Sequence, residues 1–224
     1  MIPRKMMKCA GILAAAAAIA ALAACRSEQP PRTRLTQQEM ADYGKAIAGE
    51  YDGAYVILRA VNPMPGKEDE DGGEAGEMAI ERLEGASITV TDYDMRSIIF
   101  HQFPISTASH LAAHNEALQS ALAETPGMDL TAQYGWSLHT DGVSPVWEMG
   151  DIVASLTLAY GGEKHNVLFR FKSGMNFLLD ASERDAGLGF GSTMPQFSLK
   201  AVLVDGEQLP LPDNSLLVFF TMQH

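Results

Sequence analysis

The chain is predicted to be mainly β (α+β in class): an antiparallel barrel or sandwich of about eight to ten strands with one long helix near 107–124. Three observations predict it. Short runs rich in β-branched and aromatic residues recur along most of the chain. Gly161-Gly162 and Asp205-Gly206 each sit between two such runs, where both central residues of a tight hairpin turn need positive φ. One stretch alone, around residues 107 to 124, is alanine-rich with leucines at helical spacing. Strands joined by tight turns pair antiparallel, so a sheet of that many strands closes into a barrel or folds into a sandwich.

Each element follows in order. "QQEMADYGKAIAG" (37–49) predicts one short helix, with Gly49 just past its end. "YDGAYVILRAV" (51–61) is a strand stopped by Pro63 and Pro65. "EMAIERL" (77–83) and "ASITVTDY" (86–93) are two further strands, the second with Ile88 and Val90 on one face and Thr89 and Thr91 on the other. "RSIIFHQFP" (96–104) pairs with it as a hairpin. Leu111, Leu118 and Leu122 mark the long helix, which Ser106 or Thr107 caps and Pro126-Gly127 ends. In "DIVASLTLAY" the residues Ile152, Ala154, Leu156 and Leu158 share a face; in "EKHNVLFRFK" Val167, Phe169 and Phe171 do. "FSLKAVLV" and "EQLPL" form the last hairpin and "NSLLVFFTM" the closing strand. No period of repeat length recurs. Trp136, Trp147, Tyr134, Phe103 and Phe190 are the expected large core fillers, suited to carbohydrate stacking only where exposed.

The N-terminus sets the domain organisation. Arg4, Lys5 and Lys8 precede an uncharged apolar run, Gly11 to Ala24, which ends at Cys25. Fourteen helical residues reach about 21 Å, short of the roughly 30 Å of a bilayer core, so a secretory signal is favoured over a membrane span. Leu22-Ala23-Ala24-Cys25 resembles the lipobox of bacterial lipoproteins. The resemblance implies cleavage before Cys25 and acylation of its thiol, with more than one acyl chain for stable anchoring. In such lipoproteins an aspartate after the cysteine retains the protein in the inner membrane. Arg26 stands there, which implies the outer membrane, in either leaflet. Expected domains are thus a signal peptide at 1–24, a polar proline-bearing tether at 25–36 and a single β-rich domain at 37–224.

The charge is −12, and removing the signal takes Arg4, Lys5 and Lys8 with it, leaving about −15. That excludes nucleic acid as a partner on electrostatic grounds. The two cysteines, Cys9 in the signal and Cys25 at the anchor, leave none to form a disulfide in the domain.

Motifs that carry chemistry are sparse. "HLAAH" sets His110 and His114 at i and i+4, metal-ligand spacing on a helix, but Leu111 stands where a zinc protease has glutamate. Glu116, His101 and His139 are the residues that could complete such a site; the alternative is an amphipathic helix with histidines at its rim. "KEDEDGGEAGE" (67–77) fails the calcium-loop frame, with Lys67 at position 1 and Met78 at position 12, and is expected to be a solvated loop. "DAGLGFGST" (185–193) is neither a dinucleotide nor a phosphate loop. There is no G-x-S-x-G elbow and no thiol nucleophile.

The order of features resembles a known family. The lipobox is followed by "GEYDGAYVIL" (49–58), "FHQFPIS" (100–106), "QYGWSL" (133–138), "YGGEKHNVLFRF" (160–171) and "LVDGEQL" (203–209). These resemble the uncharacterised lipoproteins of this length from gut Bacteroidetes, and the Y-x-G-x-Y opening is similar to calycin-like barrels of the same bacteria. The resemblance implies a β-rich fold and an envelope address, and it brings no functional residue with it. The expected role is a non-enzymatic, lipid-anchored binding or accessory domain, without cofactor, taking a small apolar ligand or an envelope protein. The rivals are a metal-dependent hydrolase built on His110 and His114, and a subunit of an outer-membrane complex.

Overall fold

The computed structural model describes residues 34–60, 78–138, 145–173, 176–178, 195–211 and 216–222. Cys25, the 67–77 and 185–193 stretches with Phe190, and His139 lie outside the described residues. No helix among the described residues is long and apolar enough to cross a membrane.

Helix α1 (Gln37–Ile47) opens the domain. Thr36 caps it in a reciprocal box: its hydroxyl accepts from the Glu39 backbone N–H at 3.2 Å, and the Glu39 carboxylate accepts from the Thr36 N–H at 2.9 Å. Strands β1 (Gly49–Ala60) and β2 (Met78–Val90) follow as a long antiparallel pair. The two strands predicted at 77–83 and 86–93 are one. Gly85 does not end the strand: it sits at φ +75 as the extra residue of a bulge, where Gly53 opposes Ala86 and Ala54 opposes Glu84.

β3 (Ser97–Phe103) pairs with β2 as predicted, Ile88 against Phe100 and Val90 against Ile98. The single long helix predicted at 107–124 is instead two pieces, a 3-10 helix at Ile105–Ala112 and α2 at Glu116–Ala123. Local side-chain bonds cause the break. The Thr107 hydroxyl donates to the Pro104 carbonyl at 2.7 Å and the His110 ring bonds the Thr107 carbonyl at 2.8 Å, both at three-residue spacing. Asn115 then restarts the chain as an N-cap, its side chain accepting from Leu118 N–H at 3.1 Å.

The rest is sheet: β4 (Met128–Leu138), β5 (Pro145–Met149), β6 (Ile152–Tyr160), β7 (Glu163–Ser173), β8 (Asn176–Leu178), β9 (Gln196–Val204), β10 (Glu207–Gln208) and β11 (Leu216–Met222). Both predicted turns are present, with positive φ at Gly161 and Gly162 and at Asp205 and Gly206. All pairings are antiparallel, in the order β6-β7-β9-β11-β1-β2-β3-β4-β5-β8, with β10 on β9.

That order forces curvature. β5 and β6 stand near opposite ends of it, yet only Gly150 and Asp151 separate them in sequence, a reach of about 11 Å. The sheet therefore bends round on itself and brings β6 beside β4, while the Gly150 N–H extends the β4–β5 ladder by donating to the Gln133 carbonyl at 2.7 Å. The concave face carries Ile57, Ile88, Leu130, Val167, Val218 and six buried phenylalanines: Phe100, Phe103, Phe169, Phe171, Phe197 and Phe220. Their rings meet mostly edge to face, filling the interior with side chains. Phe103, Tyr134 and Trp147 are buried as expected, while Trp136 is half-buried.

Candidate functional site

The chemistry gathers in two places, neither on the predicted histidine pair. His110 is half-buried, held by the Thr107 carbonyl; His114 is exposed in the turn after the 3-10 helix. At three residues per turn, positions four apart diverge by about 120° round the axis, where an α-helix keeps them within about 40°. Among the described residues no three His, Cys, Asp or Glu side chains converge as a metal site.

The first place is the outer face of β2, β3 and β4. Thr89 faces outward because Ile88 and Val90 face in. On β3 the alternation carries His101 to the same outer face. There the strand bulges: Phe100 opposes Leu130 and Phe103 opposes Met128, so His101 and Gln102 together oppose Asp129. Gln102 takes a left-handed φ of 48, a strained conformation for a residue with a Cβ. Gly127 makes room, since a Cβ there would lie 2.5 Å from the Gln102 carbonyl oxygen.

Asp129 answers the bulge. Its Oδ1 accepts from the Gln102 N–H at 3.0 Å and its Oδ2 lies 3.2 Å from His101 Nδ1. The Gln102 N–H, with a smaller contribution from the imidazole, holds the carboxyl below the usual carboxylate range. On the other side of the ring, Nε2 lies 2.7 Å from Thr89 Oγ1. The Tyr55 hydroxyl donates to the His101 carbonyl at 2.9 Å, and burial pushes that phenol well above its ordinary range, so it stays a donor. A cleft of about 150 Å³ opens beside the ring, with Tyr55, Glu84, Gly85, His101, Gln102 and Pro104 among its lining residues.

The second place repeats the design at the β9–β10 turn. Asp205 Oδ2 lies 2.7 Å from His165 Nδ1 and its Oδ1 accepts from the Asn166 N–H at 2.8 Å. Here too the aspartate binds an imidazole and the backbone N–H of the next residue, and that N–H, then the imidazole, lowers its carboxyl pKa. The imidazole has a different neighbour: it stacks on Tyr160, centroids 3.9 Å apart and planes 21° from parallel. A groove of about 520 Å³ runs past the stack, with Asn115, Leu118, Glu207, Gln208 and Leu209 on its walls. Another cavity, of about 450 Å³ between α2 and β6, has Glu124 as the one titratable side chain among its described lining residues and offers little chemistry.

The sequence held a weak signal for these sites. His101 lies in β3 at an outward position, where an imidazole is not needed for the core, whereas His165 shares the face of Val167 and Phe169 at the end of β7. The aspartates that complete them are 28 and 40 residues away, so only the sheet register joins them.

The Asp129 clasp has a pH signature. Its native pKa is lowered, so the ionised carboxylate favours the folded state; that contribution is present above the unfolded value, near pH 4, and is lost as pH falls toward the native one. Asp129→Asn should therefore flatten the fall in the urea midpoint between about pH 5 and pH 3. The side chain is 49% exposed, so solvent screens the effect and it will be modest. An unchanged slope would show that the clasp forms equally in the unfolded chain.

No protein-family model, curated protein or solved structure matches the chain significantly.

Proposed function

We propose that this protein is a lipid-anchored binding domain of the cell envelope, held by Cys25 and recognising a neutral, polyhydroxylated ligand in the groove beside Tyr160. The observation that carries the ligand assignment is the make-up of that groove. Its walls combine an aromatic ring, the amides of Asn115 and Gln208 and the carboxylates of Asp205 and Glu207, with no lysine or arginine among the described residues. Planar amides and carboxylates match vicinal hydroxyl pairs, and the face of an aromatic ring suits the C–H face of a sugar ring. Two carboxylates without a cation, on a chain of net charge −12, disfavour anions. The filled interior supports placing recognition at the surface. The anchor rests on the lipobox resemblance, and the kinship with lipoproteins of gut Bacteroidetes is part of the same reading.

Two measurements test it. In cells fed labelled palmitate, the wild type should carry label and sediment with outer membranes, and Cys25→Ser should do neither. Label on Cys25→Ser, or an unlabelled soluble wild type, overturns the anchor. Titration with neutral and anionic oligosaccharides, followed by chemical-shift changes, should perturb Tyr160, His165 and Gln208 with the neutral set. Tyr160→Ala should weaken that binding about tenfold or more. Binding that leaves these three unmoved, or that prefers anions, overturns the groove.

A further inference from the structure

We propose that Thr89 is an activated hydroxyl that accepts a short acyl group from an ester, with His101 as its base and Asp129 as the positioning residue. This activity goes beyond groove binding and stands on different residues.

The direction of the hydrogen bonds carries the inference. The Asp129 carboxylate can only accept when ionised, so His101 Nδ1 must bear the proton it receives at 3.2 Å. The neutral ring then has its lone pair on Nε2. The contact at 2.7 Å is therefore the Thr89 hydroxyl donating to Nε2, which is the polarity a general base needs. Asp129 fixes this tautomer and is itself fixed by the Gln102 N–H, which the bulge leaves without a strand partner. A simple structural clasp needs only the aspartate and the imidazole, as at His165 and Asp205, where the ring stacks on Tyr160 instead. At His101 the chain adds the hydroxyl, the strained Gln102 and a cleft.

The site is reachable. The imidazole is 33% exposed, and the cleft of about 150 Å³ that it lines suits a short acyl chain and is too small for a fatty one. Gln102 lines the same cleft, and its side-chain amide is the candidate donor for the developing oxyanion. In the step itself, Thr89 Oγ1 attacks the ester carbonyl as its proton passes to Nε2. The new Oγ1–C bond forms, the bond from the carbonyl carbon to the leaving oxygen breaks, and Nε2 returns the proton to that oxygen. Water, deprotonated by the same Nε2, then cleaves the threonyl ester and restores both groups.

The test uses p-nitrophenyl acetate with the purified protein, reading nitrophenol release and the acetyl mass increment on the peptide that carries Thr89. Wild type should acetylate at Thr89, with a rate that rises as the imidazole deprotonates. Thr89→Val, which keeps the β-branched shape, should lose roughly a hundredfold, and Asp129→Asn about tenfold, while Thr89→Ser stays active. His114→Gln controls for reaction at an exposed imidazole and should change nothing. Circular dichroism of each variant separates lost chemistry from lost fold. Equal rates in wild type and folded Thr89→Val, or acetyl found only at other residues, overturn the proposal. Either result leaves the groove reading intact, since neither touches Tyr160 or His165.

Discussion

Phe197→Ala will lower the stability of the domain by about 3–5 kcal/mol, the range for emptying a fully buried aromatic site. Phe197 has no exposed surface. On β9 it meets Phe100 at 5.0 Å and Phe103 at 5.6 Å, both from β3, and Phe171 of β7 at 5.3 Å, all edge to face. β3 and β9 stand four places apart in the strand order, so this ring joins two walls of the curled sheet and is not a contact between neighbours. Removing it leaves three rings facing a void that their own packing prevents from collapsing. A typical domain has about 5–15 kcal/mol in all, so roughly a fifth or more of the total is at stake. Urea unfolding by near-ultraviolet dichroism should show a lower midpoint at an unchanged slope. Phe197→Leu should cost less than half as much, because most of the volume is kept. A loss below about 1 kcal/mol for Phe197→Ala would mean that the walls do not meet through this ring.

Gly53→Ala should cost roughly 2–4 kcal/mol, although it adds one methyl group to a strand. The added Cβ would stand 2.1 Å from the Thr221 carbonyl oxygen and 2.8 Å from Phe220 Cζ. The first of these is backbone and cannot swing aside. β1 is also held from both sides, Gly53 facing Met222 on β11 and Ala86 on β2. Relief must come from the end of β11, so amide exchange should speed up at Phe220–Met222 before it does elsewhere. Gly135→Ala is the matched control: nothing lies within 4 Å of its Cβ position, and its stability should stay within about 0.5 kcal/mol of wild type. If the two variants behave alike, close approach of β11 is not what glycine serves at position 53.

How far these features were legible in the sequence differs by kind. Gly161-Gly162 and Asp205-Gly206 announced their hairpins because the positive φ that a tight turn demands is a property of the residue itself. Gly85 needed a partner strand to be understood. Positive φ alone is equally consistent with a break, and only the register with β1 makes it a bulge inside one long strand. The helix near 107–124 failed for a local reason that leucine spacing does not weigh: Thr107 and His110 bond backbone carbonyls three residues back, and Asn115 is a stronger N-cap than a mid-helix residue.

The sequence by itself determined the β class, the antiparallel pairing and most strand positions, because side-chain period and turn chemistry are local. The alternation of Ile98 and Phe100 before it also turns His101 outward. Only the tertiary structure decided that the sheet curls until β4 and β6 adjoin, that phenylalanines fill its interior, and that His101 meets Thr89 and Asp129. Those outcomes depend on strand order and on one-residue shifts of register at bulges. A shift of one residue turns every later side chain to the other face, so partners 12 and 28 residues apart are fixed by the assembled sheet.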